Sequence, residues 1–291
     1  MKQLSSSPIL ETPLKPYLTC IDYTVSNEEF SVLIDPKTNL LVTSPRPKDE
    51  HLGAYYESKN YISHSDAKKS LFDRLYQLVR NYTLRQKIKL INSFETNDKR
   101  VLDIGAGTGD FLMTCQKQGW KIEGVEPNEK ANDIASLKLA SSLKQNIRDL
   151  DGQQYDVVTM WHVLEHVPNL MSYISQLKSL LKPEGTLIVA VPNHQSFDAE
   201  YYGRFWAAYD VPRHLWHFSQ KSVEDLFEIA QMKVIEKLPM KFDAYYVSLL
   251  SEKYRHGKMN PLRAFYIGLK SNLKARQTKQ YSSLIYIIKN A

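Results

Sequence analysis

The 291-residue sequence predicts an α/β fold with a mostly parallel sheet and helices on both of its faces. From Arg100 onward, short apolar segments alternate with amphipathic segments of helical period, as in successive strand–helix–strand units. The first of these strands, residues 100–104, runs directly into three alternating glycines. Two late apolar segments, about residues 232–239 and 282–289, are expected to pair antiparallel at one edge of the sheet.

The local pattern predicts the position of each element. Strands are predicted near residues 100–104, 121–125, 155–160 and 185–191, with a weaker strand near 143–147. Helices are predicted near residues 109–118, 128–140, 169–181 and 219–230, after a longer helix at about 67–94. Together with the late pair, the predicted sheet has seven strands.

The composition is that of an ordinary globular protein, with 43% hydrophobic and 24% charged residues. No apolar run approaches the ~18 residues that cross a membrane. The polar segment 1–19 is interrupted by prolines and lacks the apolar core of a secretion signal. Only Cys20 and Cys115 are present, which excludes a disulfide framework and fits a reducing cytoplasm. We therefore expect a cytoplasmic location.

The glycines Gly105, Gly107 and Gly109 predict a nucleotide-binding turn, because they let the backbone bend sharply and approach a ligand. A dinucleotide fingerprint, G-x-G-x-x-G, requires glycine where this chain has Asp110, which disfavours an NAD-dependent oxidoreductase. Ordinary α/β connections also contain glycine clusters. However, the next strand ends at Glu126, 21 residues after Gly105 and close to the ~20-residue interval at which a carboxylate meets a ribose.

The G-x-G-x-G run preceded by Asp103 resembles motif I of class I S-adenosylmethionine (SAM) dependent methyltransferases. The resemblance implies a Rossmann-like fold with a late antiparallel hairpin, and SAM as the cofactor. Asp149 is expected near the adenine, with a solvated loop aspartate as the alternative. The residues expected to bind the cofactor are Asp103, Gly105, Ala106, Gly107, Gly109, Glu126, Pro127, Asp149, Trp161 and His162.

After the strand at 155–160, His162, Glu165 and His166 are spaced to share one face of a helical turn. Such a set can bind a metal ion, or act as a general base with its orienting partner. The run resembles that of ubiquinone-biosynthesis-type methyltransferases, which can carry a carboxylate at the position of His162. We therefore predict no metal and rank His162, His166 and His214, in that order, as candidate bases. Lining of the cofactor pocket and capping of the helix are the alternatives.

Residues 194–218 are dense in aromatic side chains and follow the fifth strand, so we expect a lid or substrate wall. The run from Asp210 to Phe218 resembles a signature of a bacterial subgroup of these methyltransferases. The alternative is that the aromatic residues simply bury the segment. The residues expected at the acceptor are Tyr56, Tyr61, Asn193, Trp206, Tyr209, Arg213 and His217.

Residues 1–60 predict a small β leader that precedes a methyltransferase domain at 61–291. The leader resembles a zinc ribbon, but its hairpin has Asp35 and Thr38 where a ribbon has cysteines. We predict a metal-free remnant held by its strands. Tyr56 and Tyr61 lie in the aromatic-rich link at 55–62, where the leader meets the domain. They are expected either to line the site or to pack the leader against the domain.

The carboxyl-terminal part is basic, with twelve Lys/Arg and three acidic residues from Lys233 to Ala291 within a total net charge of +6. A helical insertion at about 244–279 has one apolar face that contains Leu262 and Phe265. It is suited to packing on the domain, to pairing with a second copy, or to lying on an acidic membrane. Packing is favoured because the run is short.

These observations predict a SAM-dependent methyltransferase acting on a small-molecule, sugar or lipid-linked acceptor, as a monomer or homodimer. Whether oxygen, nitrogen or carbon is methylated stays open. The rival prediction is a non-catalytic module of the same fold that binds a partner or nucleic acid through its basic end. Nucleic-acid methylation is not expected, because Pro192-Asn193 does not resemble an Asn/Asp-Pro-Pro-Tyr base pocket.

Overall fold

A computed structural model describes residues 1–56 and 71–291 and, within these ranges, all side chains except those of Asp49 and residues 71–76. The boundary predicted at residue 60, Tyr61 and the predicted helix start near residue 67 lie outside the described residues. The strands are β1 (Lys15–Ile21), β2 (Glu29–Ile34), β3 (Leu41–Thr43), β4 (Arg100–Ile104), β5 (Lys121–Val125), β6 (Tyr155–Trp161), β7 (Leu181–Pro192), β8 (Trp216–His217), β9 (Met232–Pro239) and β10 (Ser283–Asn290).

The helices alternate with the strands of the large sheet. They are α1 (Leu71–Ile91), α2 (Asp110–Lys117), α3 (Glu129–Leu139), α4 (Leu170–Ser179), α5 (Phe197–Tyr202), α6 (Gln220–Ile229), α7 (Asp243–His256) and α8 (Pro261–Thr278). No helix among the described residues is both long and apolar enough to cross a bilayer.

The large sheet has six strands in the order β5-β4-β6-β7-β10-β9. The first four are parallel, and β10 is antiparallel to both β7 and β9. The carboxyl end of β9 therefore lies at the same edge of the sheet as the carboxyl ends of β4 to β7. Ligands of open α/β sheets collect at this edge.

The two faces of the large sheet are covered by different helices. Leu102 and Val158 pack with residues of α4 and α6. Val101 and Val157 face the other way and pack with residues of α1 and α2. This alternation follows from the period of two along a strand, and it confirms the predicted α/β architecture with helices on both faces.

A second sheet has the order β1-β2-β3-β8 and is antiparallel throughout. Its fourth strand, β8, comes from the aromatic segment that the sequence suggested as a lid. That segment is largely buried, because it joins the amino-terminal strands to the large sheet. In the turn after β2, the Thr38 hydroxyl donates to Asp35 Oδ2 at 2.6 Å, at the positions where a zinc ribbon has cysteines.

The predicted elements between residues 100 and 240 are confirmed to within a few residues, with one exception. The weak strand near 143–147 is reduced to a single bridge from Lys144 to Val125. The chain then turns into a 3-10 helix at Ile147–Leu150, capped by the side chains of Asn146 and Asp149. Because this turn takes up the residues that would extend the pairing, the described sheet has six strands rather than seven.

Candidate active site

The glycine turn after β4 folds over the end of β5. Gly105, Gly107 and Gly109 have φ angles of 73°, 54° and 76°, a region that residues with a Cβ rarely adopt. The N–H groups of Gly105 and Ala106 donate to the carbonyl of Val125 at 2.8 and 3.1 Å. The sequence pattern therefore produces a backbone-lined turn at the ligand-binding edge.

Of the three glycines, Gly107 faces open space. A Cβ added at Gly105 would lie 2.4 Å from Val163 Cγ2, and one at Gly109 would lie 3.1 Å from Ala135 Cβ. A Cβ at Gly107 would meet no heavy atom within 4 Å. The turn thus forms a cradle in which a ligand can lie directly against the backbone.

Glu126 lies beside this cradle. Its Oε2 accepts a hydrogen bond from the Gly107 N–H at 2.8 Å, and its Oε1 accepts one from the Asn128 N–H at 2.9 Å. Pro127 follows and is exposed. The residue spacing predicted that the glycines and this carboxylate would meet, and the structure brings them together.

Asp103 lies within β4, directly below the glycine turn. The Thr159 hydroxyl of β6 donates to its Oδ1 at 2.6 Å. Burial raises the pKa of Asp103 to about 7, against the opposing effects of the Thr159 hydrogen bond and of Lys87. Asp103 can therefore hold or release a proton near neutral pH.

Trp161 ends β6 and has a buried indole N–H that finds no acceptor in the part of the chain that the structure describes. The Lys87 ammonium lies 4.1 Å from the centroid of its ring. Burial lowers the pKa of Lys87 to about 8, although Asp103 and Asp243 act in the opposite direction. An unused buried donor suits a polar ligand, since leaving such a group unsatisfied is costly.

His162 lies between two carboxylates. Its Nε2 is 3.1 Å from Asp243 Oδ2, and its Nδ1 is 3.4 Å from Glu165 Oε1. Burial acts to lower the pKa of His162, but these carboxylates outweigh it and raise the pKa to about 10. At neutral pH the ring is an imidazolium, which has no lone pair to accept a proton. The geometry therefore disfavours His162 as the general base, a role for which the sequence ranked it first. Its φ of 58° is unusual for a non-glycine residue and is of the kind found at functional sites.

His166 has a neutral ring. Its Nδ1 lies 3.0 Å from the carbonyl of Arg213 and 3.0 Å from the hydroxyl of Tyr56. Because a carbonyl can only accept, Nδ1 carries the proton and Nε2 keeps a free lone pair. Burial lowers the pKa of His166 to about 4, and the nearby His214 acts in the same direction. Tyr56 thereby reaches the site, as the sequence suggested.

His214 completes a cluster with Glu165 and His166. Its Nδ1 donates to the carbonyl of Ala208 at 2.8 Å, and its ring centroid lies 4.6 Å from that of His166. One donor atom of each of the three residues lies within 4.8 Å of the others. Glu165 is buried, and neither of its oxygens accepts a well-formed hydrogen bond from any described residue. The cluster can accept a proton, and it also has a donor set that a divalent cation can use.

Arg213 does not have a free guanidinium. It donates to Asp210 at 2.9 and 2.6 Å, to Asp22 at 2.9 Å and to the carbonyl of Tyr55 at 3.1 Å. Both Arg213 and Asp22 are almost fully buried. The side chain expected to bind an anionic acceptor therefore joins the amino-terminal sheet to the rest of the protein.

The other acceptor candidates in and directly before the aromatic segment have most of their polar atoms engaged, although His217 Nδ1 finds no partner among the described residues. The Trp206 indole donates to Asp198 at 2.8 Å. The Asn193 amide donates to the Tyr281 carbonyl at 3.0 Å, and His217 Nε2 lies 3.0 Å from the Thr43 hydroxyl. Tyr209 is buried in the same cluster as Trp206. These geometries favour packing of the segment, the alternative that the sequence had left open.

Two further candidates are peripheral or undescribed. Asp149 is exposed, and its carboxylate accepts from the Asn146 N–H at 3.2 Å, so it caps its own turn. Its place near the adenine stays a prediction. Tyr61 lies outside the described residues.

Sequence reasoning missed Lys87 and Asp243. Lys87 is a charged residue among the apolar positions Leu84, Ile88 and Ile91 of α1, an interruption that marks a half-buried cation. Asp243 follows β9, whose direction matches that of β7, so its loop belongs to the ligand-binding edge. Both features can be seen in the sequence. They indicate site residues only once it is known which face of α1 packs on the sheet and in which direction β9 runs.

A family model described as "methyltransferase domain" matches residues 76–237, more than half of the chain. Ubiquinone biosynthesis O-methyltransferases are among the similar curated proteins. That of Actinobacillus pleuropneumoniae serotype 7 (strain AP76) is 31% identical over 108 residues, which cover 33% of this chain and 46% of the relative. That of Rickettsia bellii (strain OSU 85-389) is 29% identical over 143 residues, which cover 45% and 59%. The chain spans about half the length of the curated relatives it matches.

Solved methyltransferase structures share the fold. Magnesium protoporphyrin IX methyltransferase from Synechocystis PCC 6803, with bound SAH, superposes with a TM-score of 0.56 at 14% identity, covering 84% of this chain and 100% of that chain. A putative sarcosine dimethylglycine methyltransferase from Galdieria sulphuraria gives 0.51 at 14% identity, covering 84% and 99%. At these identities the likeness establishes the fold alone. With the domain match over residues 76–237 and the glycine turn beside Glu126, this chain belongs to the methyltransferase domain family.

Proposed function

We propose that this protein transfers a methyl group from SAM to a small-molecule acceptor. The observation that carries the proposal is the open cradle at Gly107 beside the Glu126 carboxylate, at the carboxyl ends of β4 and β5. SAM supplies an electrophilic methyl group on a sulfonium. The domain family supports this cofactor over NAD, and Asp110 in place of a glycine agrees with it.

Residues around the cradle would hold the cofactor. The backbone of Gly105 and Gly107 would lie against it, and Glu126 would accept hydrogen bonds from the ribose hydroxyls. The unused indole N–H of Trp161 would donate to one of its polar groups. The protein's main contribution is to hold the donor and the acceptor close and aligned, because displacement at carbon needs little else.

We further propose that the acceptor atom is a hydroxyl oxygen. The relatives in A. pleuropneumoniae and R. bellii are named O-methyltransferases, which supports this choice. A hydroxyl loses its proton as the oxygen is methylated, and Nε2 of His166 would accept it. The low pKa of His166 does not prevent this, because the hydroxyl oxygen becomes strongly acidic as it forms its third bond, to the transferred methyl carbon, while the bond from that carbon to the sulfonium sulfur breaks.

Calorimetric titration tests the cofactor assignment. We expect SAM to bind and NAD not to bind, with Glu126→Ala weakening SAM binding about 10- to 100-fold through loss of charge-assisted hydrogen bonds. Glu129→Ala, an exposed carboxylate at the start of α3, is the matched control and should bind as wild type. A folded wild-type protein without affinity for SAM would contradict the proposal and favour the non-catalytic module.

The cluster of Glu165, His166 and His214 favours a second role, in which these three residues would hold a divalent cation. Among the described residues the Glu165 oxygens accept no well-formed hydrogen bond, and the charge nearest to them is His162 Nδ1 at 3.4 Å from Oε1, so this carboxylate can take a further ligand. The sequence predicts no metal, and a chelator separates the two roles. If His166 acts as the base, dialysis against a chelator leaves the rate of methyl transfer unchanged. A rate that falls and returns on adding one divalent metal would assign the cluster to a cation instead.

We also propose that residues 1–60 are a metal-free relative of a zinc ribbon. The Asp35–Thr38 hydrogen bond and the N–H donors from Thr24 and Ser26 to Asp22 support it, since they stabilise the two turns without thiolates. Metal analysis of the purified protein tests this, with zinc bound to the leader as the contrary result. A cytoplasmic location remains part of the proposal, because both cysteines are buried free thiols.

A further inference from the structure

Helix α8 has two unlike faces. The face toward the protein carries the small residues Ala264, Gly268 and Ser271, and it packs so closely that a Cβ at Gly268 would lie 2.7 Å from the Tyr245 ring. The opposite face carries large apolar residues that the solvent reaches. They are Leu262, Phe265, Tyr266, Leu269 and Leu273, and the first two are 86% and 60% exposed.

This arrangement reverses the sequence expectation that the apolar face packs on the domain. The exposed apolar residues follow helical spacing, so they form one stripe along the outer surface of α8. Among the described residues, no element covers this stripe. Contiguous exposed apolar surface of this kind marks an interaction site.

Cations flank the stripe. Arg263, Lys270 and Lys274 are exposed and lie along one side of it at helical spacing. From residue 243 to 279 there are eight Lys/Arg and two acidic residues. Of the two acids, Asp243 is paired with His162, and Glu252 is buried and pairs with Arg263 at 3.4 Å, which leaves Lys270 and Lys274 as the flanking cations with no acidic partner among the described residues. The surface around the stripe is therefore cationic.

The stripe continues toward the candidate active site. The Phe265 ring stacks on Tyr245 of α7 with 5.3 Å between centroids. Helix α7 begins at Asp243, whose carboxylate contacts His162, and the preceding Phe242 is exposed. Whatever α8 binds is thus held next to the edge of the sheet where the acceptor must enter.

An anionic bilayer surface fits these features. An apolar stripe with aromatic residues and flanking Lys/Arg is the composition of helices that lie in a membrane interface. Anionic lipid headgroups attract such cations at close range. A second copy of the chain is a poorer fit, because pairing stripe to stripe would bring two equally cationic flanks together.

We propose that α8 lies on an anionic lipid bilayer with its apolar stripe in the interface, and that the methyl acceptor is an amphiphile held in that bilayer. The docking part stands on the surface of α8 alone. The acceptor part rests on the proposed function, since it names the class of substrate that the same site receives.

Vesicle flotation of the full chain tests the docking. We expect binding to phosphatidylcholine vesicles that contain about 30% phosphatidylglycerol, and weak binding to pure phosphatidylcholine. Binding should fall when salt is raised from about 0.1 M to about 1 M, because the cations are screened. Phe265→Ser with Leu269→Ser should weaken binding about tenfold or more.

Matched controls lie on α3, where Leu137 is 85% exposed and Lys130 is exposed. Leu137→Ser should bind vesicles as wild type, and Lys130→Glu should lose less than Lys270→Glu. Unchanged circular dichroism and SAH affinity show that each variant is folded. Absence of binding to anionic vesicles, or equal binding by the α8 double variant, overturns the proposal. The proposal is also overturned if the wild-type protein does not bind vesicles and sedimentation velocity shows it to be a dimer, while the double variant is a monomer.

Methyl-labelled SAM tests the acceptor class with vesicles re-formed from a total bacterial lipid extract. We expect label in the organic phase, at a rate about tenfold lower for the α8 double variant while its SAH affinity is unchanged. Label only in water-soluble products, or none in the organic phase, overturns the membrane-held acceptor. If SAH binds in that case, the proposed cofactor still stands. If SAH does not bind, the proposed function itself fails.

Discussion

Replacing Arg213 with methionine should destabilise the protein strongly, because it removes the cation that joins the buried carboxylate of Asp22 to the half-buried one of Asp210. Arg213 makes hydrogen bonds to Asp22, Asp210 and the Tyr55 carbonyl, and both Arg213 and Asp22 are almost fully buried. Breaking such a buried pair costs about 3–5 kcal/mol. Asp22 keeps its N–H donors from the loop after β1, so we expect the lower end, about 3 kcal/mol.

Urea denaturation followed by fluorescence measures this loss as a lower transition midpoint at unchanged slope. The matched control is Arg204→Ala, which removes an exposed pair with Glu29 at 3.5 Å and should cost about 0.5 kcal/mol or less. Burial alone would raise the pKa of Asp22, but Arg213 and the N–H donors hold it below its usual range. Wild-type stability should therefore fall as the pH drops through that pKa, and Arg213→Met should show less of this acid sensitivity.

The same variant separates a structural role from the substrate role that the sequence suggested. We expect kcat and the folded fraction to fall together, because the Arg213 carbonyl contacts His166 and the Arg213 guanidinium donates to the Tyr55 carbonyl, directly before Tyr56. A variant that keeps wild-type stability but raises KM would refute the reasoning. It would return Arg213 to the acceptor site as an anion-binding residue.

Three further predictions concern the cofactor cradle and the histidines. Gly107→Val should abolish SAM binding in calorimetry, since the open space at Gly107 would be filled, and its positive φ should also lower the urea midpoint, so binding is measured under conditions where the variant is folded; undiminished SAM binding would place the cofactor elsewhere. His166→Gln should lower kcat about 100-fold with the SAM affinity unchanged, and wild-type kcat should stay level down to about pH 5, because the pKa of His166 is about 4. An acid limb near pH 6.5 would exclude His166 as the base. Asp243→Asn should lower the pKa of His162, measured by NMR titration, from about 10 toward its ordinary value. Because the folded pKa of His162 is raised, its contribution to stability is present below about pH 6.5 and is lost as the pH rises through 10. Thermal unfolding should therefore distinguish this variant from wild type at pH 6 and not above pH 10; an equal difference at both would contradict the assignment.

The architecture, and the meeting of the glycine turn with Glu126, could be predicted from the sequence alone. Strands of five to eight residues alternate with helices of clear period, and both signals are local. Gly105, Gly107 and Glu126 were predictable for the same reason, because a strand, a turn and the next strand of a parallel unit must place them together. The late antiparallel pair was predictable because both segments are apolar and the resemblance to SAM-dependent methyltransferases implies such a hairpin. The strand near 143–147 was not, because the capping side chains of Asn146 and Asp149 stabilise a turn there instead.

Which side chains are free to bind a ligand or accept a proton could be seen only in the folded structure. His162, His166 and Arg213 are equally suggestive in sequence. In the structure, Asp243 keeps His162 cationic and burial keeps His166 neutral. The Arg213 guanidinium is bound by Asp22 and Asp210. Protonation and pairing depend on burial and on charges from distant segments, which no local pattern contains. The outer face of α8 is the same kind of case. Its helical period predicts one apolar face and one face of small residues. The face of small residues packs on the protein because it allows the closer approach.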